Sequence, residues 1–271
     1  MQSGLKRVLA DKRDLSFHRS FGSVPAPLPL LDYSYDDGKT MPDQNADGLP
    51  YGCTGYSQAD IAGNEDNSIY KPFYTYQKTC YIEGHPTDQG CDIRNSLKVG
   101  QVYGVQRLDE TTEEEAKTHG RGKYYSVDKL DGLDWFDSFR TALRNGKRSI
   151  SVGTIWFPEW HMTGQDGILT SLFVYNGNPN AYPWHNYAIV GEKTINGTPY
   201  LIAKTWQGRN FGDSGWCYLS SETFNKAFDI YGTCGFTQPA FSPQDTFTIK
   251  ITILQFVIMY IGRIIGLTAH A

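Results

Sequence analysis

The pattern of apolar and polar positions is most regular in residues 133–157, LDWFDSFRTALRNGKRSISVGTIWF. Apolar residues recur every three or four positions over 136–143, which is the spacing of an amphipathic helix. The Asn-Gly pair that ends at Gly146 is typical of a helix end. Residues 149–157 then predict a strand, so this segment indicates a helix followed directly by a strand.

Three further strands are predicted, in residues 185–195 (HNYAIVGEKTI), 198–206 (TPYLIAKTW) and 215–220 (GWCYLS). Asn196 and Gly197 stand between the first two, and an Asn-Gly pair at that place favours a tight β-hairpin. Because helices come first and antiparallel strands later, the order predicts an α+β fold with two lobes.

The chain divides into three segments by composition. Residues 1–36 are polar and then rich in proline, and they predict an arm that lies on a surface. Residues 37–245 carry the predicted helices and strands. Residues 246–271 form a hydrophobic tail, in which the apolar run 251–267 is at the short limit for a membrane span of ~20 residues. That run predicts either a membrane anchor or a buried element of the domain.

Composition narrows the class of protein. The 271 residues are 39% hydrophobic and 20% charged, with a net charge of −4 and no basic block. Nucleic acid is therefore not expected as a partner, because phosphate binding needs clustered Lys and Arg. The N-terminus has basic residues but no apolar stretch behind them, so no signal peptide is predicted. We expect a cytoplasmic protein, or one anchored to a membrane by its tail.

The chain has five cysteines, and the spacing between them contains no CxxC pair. Neither a zinc ribbon nor a thioredoxin-like site is indicated, and no cofactor or metal is expected. Five reduced thiols, or one free thiol with two bridges, both fit this count. Cys80 and Cys91 either close a small loop or pack as reduced thiols.

Cys53 stands between Gly52 and Gly55, where the turn-rich segment DQNADGLPYG (43–52) gives way to a predicted helix. A cysteine at this place is either a small buried hydrophobic residue or a nucleophile. A helix N-terminus and a neighbouring imidazolium both lower the pKa of a thiol, and the thiolate is the nucleophilic form. Cys53 is therefore the candidate nucleophile.

His185 is the candidate partner of Cys53, because it opens an apolar strand. Side chains alternate along a strand, so His185 and Tyr187 share one face while Asn186 points to the other. Asn186 is therefore a poor orienting group for the imidazole. Two further histidines, His85 and His161, are expected to be surface or loop residues.

Three segments in this order, GCTGYS (52–57), WHNYAIVG (184–191) and AKTWQGRNFGDSGW (203–216), resemble the papain-like cysteine peptidases of the C1 type. Positions 53 and 185 are 132 residues apart, within the ~130–150 residues typical of the Cys and His in such enzymes. The resemblance covers roughly residues 37–235. It implies a helical lobe with Cys53, a β-rich lobe with His185, and hydrolysis of peptide bonds in a peptide or protein substrate.

The resemblance also implies an oxyanion hole and an orienting residue. The backbone N–H of Cys53 is one expected oxyanion donor, and the Gln44 side chain is the other. Gln44 precedes Cys53 by nine residues, a longer spacer than the family's usual one. The family's orienting Asn falls on Thr205 here, whose hydroxyl can accept the imidazole N–H. Trp206 is expected either to cover the pair or to be the family's tryptophan displaced by one place.

Two alternatives to a peptidase remain open at this point. One is a papain-fold protein without catalysis, which binds partners or has a structural role, and the Thr205 substitution favours it. The other is a thiol acyltransferase that uses the same Cys–His chemistry. Fewer than 53 residues precede the thiol, so a full-length inhibitory prosegment is not expected. Either the short arm of residues 1–36 covers part of the cleft, or the enzyme is made in its active form.

Overall fold

The computed structural model describes the chain at residue 5 and at residues 14–21, 28–87 and 89–239. The helices are α1 (Phe17–Phe21), α2 (Cys53–Asp66), α3 (Pro72–Glu83), α4 (Ile93–Val102), α5 (Glu113–Lys117), α6 (Trp135–Gly146) and α7 (Ser221–Ile230). The strands are β1 (Leu15–Ser16), β2 (Tyr33–Ser34), β3 (Arg121–Ser126), β4 (Ile150–Ile155), β5 (Ile168–Leu169), β6 (Trp184–Ile195), β7 (Thr198–Lys204), β8 (Trp216–Ser220) and β9 (Gly232–Pro239). Short 3-10 turns occur at Pro158–Met162 and Pro179–Ala181.

Residues 1–238 form the main compact unit, and residues 239–271 form a second one. The apolar run 251–267 lies outside the described residues. Among the helices of the described ranges, none has the length and apolar character needed to cross a membrane.

The described strands form one sheet in the order β1-β3-β9-β4-β6-β7-β8-β5, with β2 paired to β6. The central strands β4, β6, β7 and β8 pair with one another in antiparallel fashion, and the short strand β5 is parallel to β8. On β4 and β6, Thr154 lies opposite His185 and Gly153 lies opposite Asn186. The α+β arrangement with an antiparallel sheet is the one that the sequence predicts.

Local sequence explains where α6 and the β6–β7 hairpin begin and end. The Asp134 side chain accepts a 2.8 Å hydrogen bond from the Asp137 backbone N–H and so caps α6, and Lys147 ends that helix with φ of 50°. Asn196 and Gly197 have φ of 50° and 78°, as a two-residue hairpin turn requires. Both predicted features are confirmed.

Buried ion pairs join α6 to β6 and α2 to β7. Glu192 on β6 is almost fully buried and accepts hydrogen bonds of 2.7 Å from Arg140 and Arg144 of α6. Lys204 on β7 donates to Asp36 at 2.6 Å and to Asp60 of α2. The cluster of Lys204, Asp36 and Asp60 holds α2 against β7, the neighbour of β6 in the sheet.

α2 also packs closely on α3, and this contact requires glycine at position 55. A Cβ atom on Gly55 would lie 2.5 Å from the Pro72 carbonyl oxygen and 2.7 Å from the Tyr76 Cβ. The glycine that follows the cysteine in GCTG therefore serves helix packing. The main hydrophobic core lies between the sheet and the helices and includes both Cys53 and Trp156.

Candidate active site

Cys53 is the first residue of α2, as the sequence predicts, and it has no exposed surface. Gly52 precedes the helix, and no side chain caps its first turn. The backbone N–H groups of that turn therefore have no capping side chain, and their partial positive charge favours an anion at this end of the helix. This is the place where a thiolate, or the oxyanion of a tetrahedral intermediate, gains most from the backbone.

His185 lies on β6 with no exposed surface, opposite Thr154 of β4. The side chain of the next residue, Asn186, points elsewhere: its Nδ2 donates 2.9 Å hydrogen bonds to Ser151 Oγ and to the Val152 carbonyl. Asn186 is thus engaged in holding β6 to β4. It does not orient the imidazole.

The cysteine and the histidine strand meet at Asn186. The backbone N–H groups of Asn186, Thr54 and Cys53 itself interact with the Cys53 sulfur. All three interactions lower the pKa of the thiol. Burial outweighs them and raises that pKa to about 12. Cys53 is therefore a neutral thiol at pH 7 in this arrangement.

His185 is neutral for the same reason. Burial, with a smaller contribution from His161, lowers the pKa of His185 to about 3. Neither ring nitrogen has a hydrogen-bond partner among the described residues. The thiol–imidazole hydrogen bond is therefore not formed, and the structure describes a closed site with both groups uncharged.

The ring that packs on His185 is Trp156, which directly follows β4. The two ring centroids are 5.0 Å apart in an edge-to-face arrangement, and Trp156 is fully buried. Trp206, expected either to cover the pair or to be the family's tryptophan displaced by one place, lies beside Tyr56 and Asn186. Its ring stacks on Tyr56 at 6.0 Å, and its Nε1 donates a 2.8 Å hydrogen bond to the Asn186 carbonyl oxygen.

Thr205 follows β7 and is fully buried, but it does not bond to the imidazole. Its hydroxyl has no hydrogen-bond partner of ordinary geometry within the described chain. The group that it influences is the Cys217 thiol, whose pKa burial raises and Thr205 lowers. The hydrogen bond expected between Thr205 and His185 is not formed in this closed arrangement.

Gln44 is fully buried at the start of the loop that leads to Cys53. Its Nε2 donates a 2.8 Å hydrogen bond to the Pro50 carbonyl oxygen, and its backbone N–H donates to the Trp206 carbonyl at 3.0 Å. The Gln44 side chain thus bridges the loop of residues 44–50 that precedes Cys53. Since an amide nitrogen carries two N–H groups, one remains for a second acceptor.

The arm reaches the neighbourhood of the site at Leu5, which is 3% exposed and forms a parallel bridge with Cys91. The Leu5 side chain packs on Gly153, the residue opposite Asn186. A Cβ on Gly153 would overlap with Leu5 and would lie 3.0 Å from both Ile93 and Thr233. Gly153 therefore forms the floor of a small apolar pocket that Leu5 fills.

Trp156, Gly153 and Leu5 were not predicted as part of the site. Trp156 carries a weak signal, because it ends the strand that pairs with the histidine strand. Gly153 reads as an ordinary glycine within that strand, and Leu5 lies in a polar arm with no periodicity. The contact of Trp156 with His185 and that of Leu5 with Gly153 both arise from packing between distant segments.

The fold identifies the structures that this chain resembles. It is similar to xylellain, a cysteine protease from Xylella fastidiosa, with a TM-score of 0.66, 16% identity, and coverage of 89% of this chain and 97% of that chain. It is also similar to digestive procathepsin L2 proteinase from Tenebrio molitor larval midgut (TM-score 0.65, 14% identity, 88% and 78% covered). A third similar structure is the bromelain protease from Ananas comosus, solved with the E64 inhibitor (TM-score 0.56, 12% identity, 77% and 98% covered).

Comparisons with protein-family models and with curated protein sequences give no match. At these identities the structural likeness establishes the fold. The chain has the papain-like cysteine protease fold, with helices and a curled antiparallel sheet, as its sequence motifs predict.

Proposed function

We propose that the chain is a cysteine peptidase that hydrolyses peptide bonds with Cys53 as nucleophile and His185 as its proton acceptor. The backbone N–H of Cys53 and the free N–H of Gln44 Nε2 would stabilise the oxyanion. Peptides or proteins that lie along the cleft would be the substrates. The observation that carries the proposal is the position of Cys53 at the start of α2, with its sulfur against the backbone N–H of the residue that follows His185.

The reaction requires the site to open. Water, once admitted, removes the desolvation that keeps Cys53 and His185 neutral, so the pKa of the thiol falls and that of the imidazole rises. The thiol proton then passes to a ring nitrogen, and the thiolate attacks the substrate carbonyl carbon. The C–N bond breaks as the imidazolium gives its proton to the leaving amine, and a thioester forms. Water attacks the thioester and releases the carboxylic acid and the free thiol.

The proposal is tested with an epoxide-type thiol inhibitor and a fluorogenic peptide library. We expect the reduced protein to gain one adduct at Cys53 and to hydrolyse part of the library. Cys53→Ala should lose both. Cys234→Ser is the matched control, because Cys234 is another buried thiol whose pKa burial raises to about 12, and it should keep both.

A non-catalytic binding protein is the second candidate. It is favoured by the absence of any hydrogen-bond partner on the His185 ring, which leaves the imidazole without an orienting group in the described structure. Peptide binding without hydrolysis, combined with no adduct at Cys53 after prolonged incubation, would support this candidate and reject the peptidase. Release of an amide product with an added amine acceptor would instead indicate acyl transfer.

A further inference from the structure

Four side chains with metal-binding atoms meet at the end of α3. Cys80 and Glu83 belong to the last turn of that helix, His85 follows it, and Cys91 lies just before α4. The ligand atoms of Cys80, His85 and Cys91 all lie within 4.8 Å of one another. The two sulfurs are 3.3 Å apart, Cys91 Sγ is 4.0 Å from His85 Nε2, and that nitrogen is 3.0 Å from Glu83 Oε2.

The cluster is buried. Cys80 is 2% exposed and Cys91 is not exposed, and both pack against Tyr76. The side chains of Glu83 and His85 are each 8% exposed. His85 lies in the loop after α3, in keeping with the expected surface or loop position, and its side chain is turned inward to the cysteines.

The separations among Cys80, His85 and Cys91 are compatible with one tetrahedral ion, and Glu83, which lies next to His85, is the candidate fourth ligand. With bonds of ~2.3 Å to sulfur and ~2.1 Å to nitrogen and oxygen, a tetrahedral zinc site has ligand separations of about 3.8 Å between sulfurs, about 3.6 Å from sulfur to nitrogen and about 3.4 Å from nitrogen to oxygen. The observed 3.3, 4.0 and 3.0 Å differ from these by a few tenths of an ångström. A small side-chain adjustment closes that difference. The sulfurs are too far apart for a disulfide bond, whose S–S length is about 2.05 Å.

The imidazole has the orientation of a metal ligand. His85 Nδ1 is 2.7 Å from the Pro86 carbonyl oxygen, and since a carbonyl only accepts, Nδ1 carries the proton. In the neutral ring, Nε2 is then an acceptor that faces the Glu83 carboxylate at 3.0 Å. Two acceptors at this distance repel each other unless a cation or a proton lies between them. Metal-bound histidines commonly donate their other N–H to a carbonyl in this way.

Glu83 is held by a second set of bonds. Its Oε1 accepts from the Asp92 backbone N–H at 2.9 Å and from Asn95 Nδ2 at 3.1 Å. These bonds leave Oε2 directed at the cluster. Hydrogen bonds with neighbouring groups therefore orient His85 and Glu83, as such hydrogen bonds do for the ligands in metal sites of proteins.

We propose that Cys80, Glu83, His85 and Cys91 bind one zinc ion as a structural site. Thiolate and imidazole ligands suit Zn²⁺, and four protein ligands leave no open position for catalysis. The ion would join the end of α3 to the start of α4, and Cys91 is also the residue that the Leu5 bridge contacts. The spacing Cys-x4-His-x5-Cys has no CxxC pair, which is why the sequence alone does not indicate the site.

The test measures metal on the full chain, purified and kept reduced. We expect one zinc per chain by elemental analysis. Replacement by Co²⁺ should give the thiolate-to-cobalt charge-transfer band and the strong visible bands of tetrahedral cobalt, both removed by added zinc. Cys91→Ser and His85→Gln should each lower the metal content at least tenfold at limiting zinc, and a chelator should lower the melting temperature of the wild type more than that of either variant.

His119→Gln and Cys234→Ser are the matched controls. His119 forms a 2.6 Å pair with Glu110 without any cysteine nearby, and Cys234 is a buried thiol outside the cluster, so both variants should retain the full zinc content. Should a cluster variant fail to fold, the cobalt spectrum of the wild type decides by itself. The proposal is overturned by a reduced wild type that binds no zinc, by cobalt spectra without a thiolate band, or by a Cys80–Cys91 disulfide found by mass in the protein as purified without an oxidant.

Discussion

The Cys53 sulfur lies against the backbone N–H of Asn186, one residue after His185 on the same strand. The helix of the candidate nucleophile and the strand of the candidate base are thus already in contact. The two reactive groups themselves are not hydrogen-bonded, because neither nitrogen of His185 has a partner among the residues that the structure describes. The backbone thus brings Cys53 next to the strand of His185, and burial keeps both side chains uncharged.

The first prediction concerns the dependence of stability on pH. The pKa of His185 falls from 6.5 to about 3 on folding. Between these pH values the unfolded chain binds a proton that the folded chain does not. The free energy of unfolding therefore decreases as the pH is lowered, by about 1.4 kcal/mol per pH unit. Between pH 6.5 and 5, the decrease in the free energy of unfolding should be about 2 kcal/mol smaller in His185→Gln than in the wild type. Urea denaturation at both pH values measures this difference.

This slope must be taken as a difference between wild type and variant. Burial raises the pKa of Asp60 to about 7, so Asp60 binds a proton on folding between pH 4 and 7 and makes the protein more stable as pH falls. The two groups act with opposite sign in the wild type. Equal losses for wild type and His185→Gln would show that His185 is not buried as a neutral group.

The second prediction concerns Lys204, which lies between two buried carboxylates. Lys204 donates to Asp36 and Asp60 and is 1% exposed. Lys204→Met would leave both carboxylates buried without a cation, so we expect it to lower the free energy of unfolding by about 3–5 kcal/mol. Denaturation with urea measures this loss.

Asp60→Asn is the matched variant for that experiment. It keeps the pair of Lys204 with Asp36, so its loss should be clearly smaller than that of Lys204→Met. Similar losses from both variants would contradict the view that the uncompensated charge is the cause.

The third prediction concerns Thr205. Its hydroxyl lies near Cys217 and makes no hydrogen bond to the imidazole. We therefore expect Thr205→Ala to change kcat/KM by less than about threefold, since removal of a group that orients an acid–base residue costs far more. A loss of tenfold or more, with a shifted pH profile, would instead assign Thr205 the orienting role that the sequence suggested.

Elements whose boundaries are set by neighbouring residues could be predicted from the sequence. The start of α2 at Cys53, the strand that carries His185 and the turn at Asn196-Gly197 follow from periodicity and turn residues, which act within a few positions. The sequence predicted these correctly. The α+β class followed from their order along the chain.

The contacts that define the closed site depend on packing between distant segments. The sequence indicates Trp206 as the tryptophan near the Cys–His pair, and the β4–β6 register instead places Trp156 on the imidazole. His85 reads as a loop residue, and it is turned inward because Cys80 and Cys91 approach each other across ten intervening residues. No local pattern encodes either contact.

The last prediction concerns the arm. Leu5 packs on Gly153 of β4, whose partner on β6 is Asn186, the residue after His185. Burial of a leucine side chain contributes about 1.5–3 kcal/mol, so its removal should shift the closed–open equilibrium by about 10–100-fold. Leu5→Asp should therefore accelerate the labelling of Cys53 by an epoxide-type inhibitor by at least tenfold, followed by intact-protein mass. This effect rests on the proposed covering role of the arm.

Leu15→Asp is the matched control for Leu5→Asp, because Leu15 is 42% exposed and its substitution removes little burial. It should label at the wild-type rate. Gly153→Val tests the pocket from the other side, since its added methyl groups would displace Leu5 and should accelerate labelling as well. Equal rates for all three variants and the wild type would show that Leu5 does not hold the site closed, and opening would then have to come from Trp156 and the β4–β6 side of the imidazole.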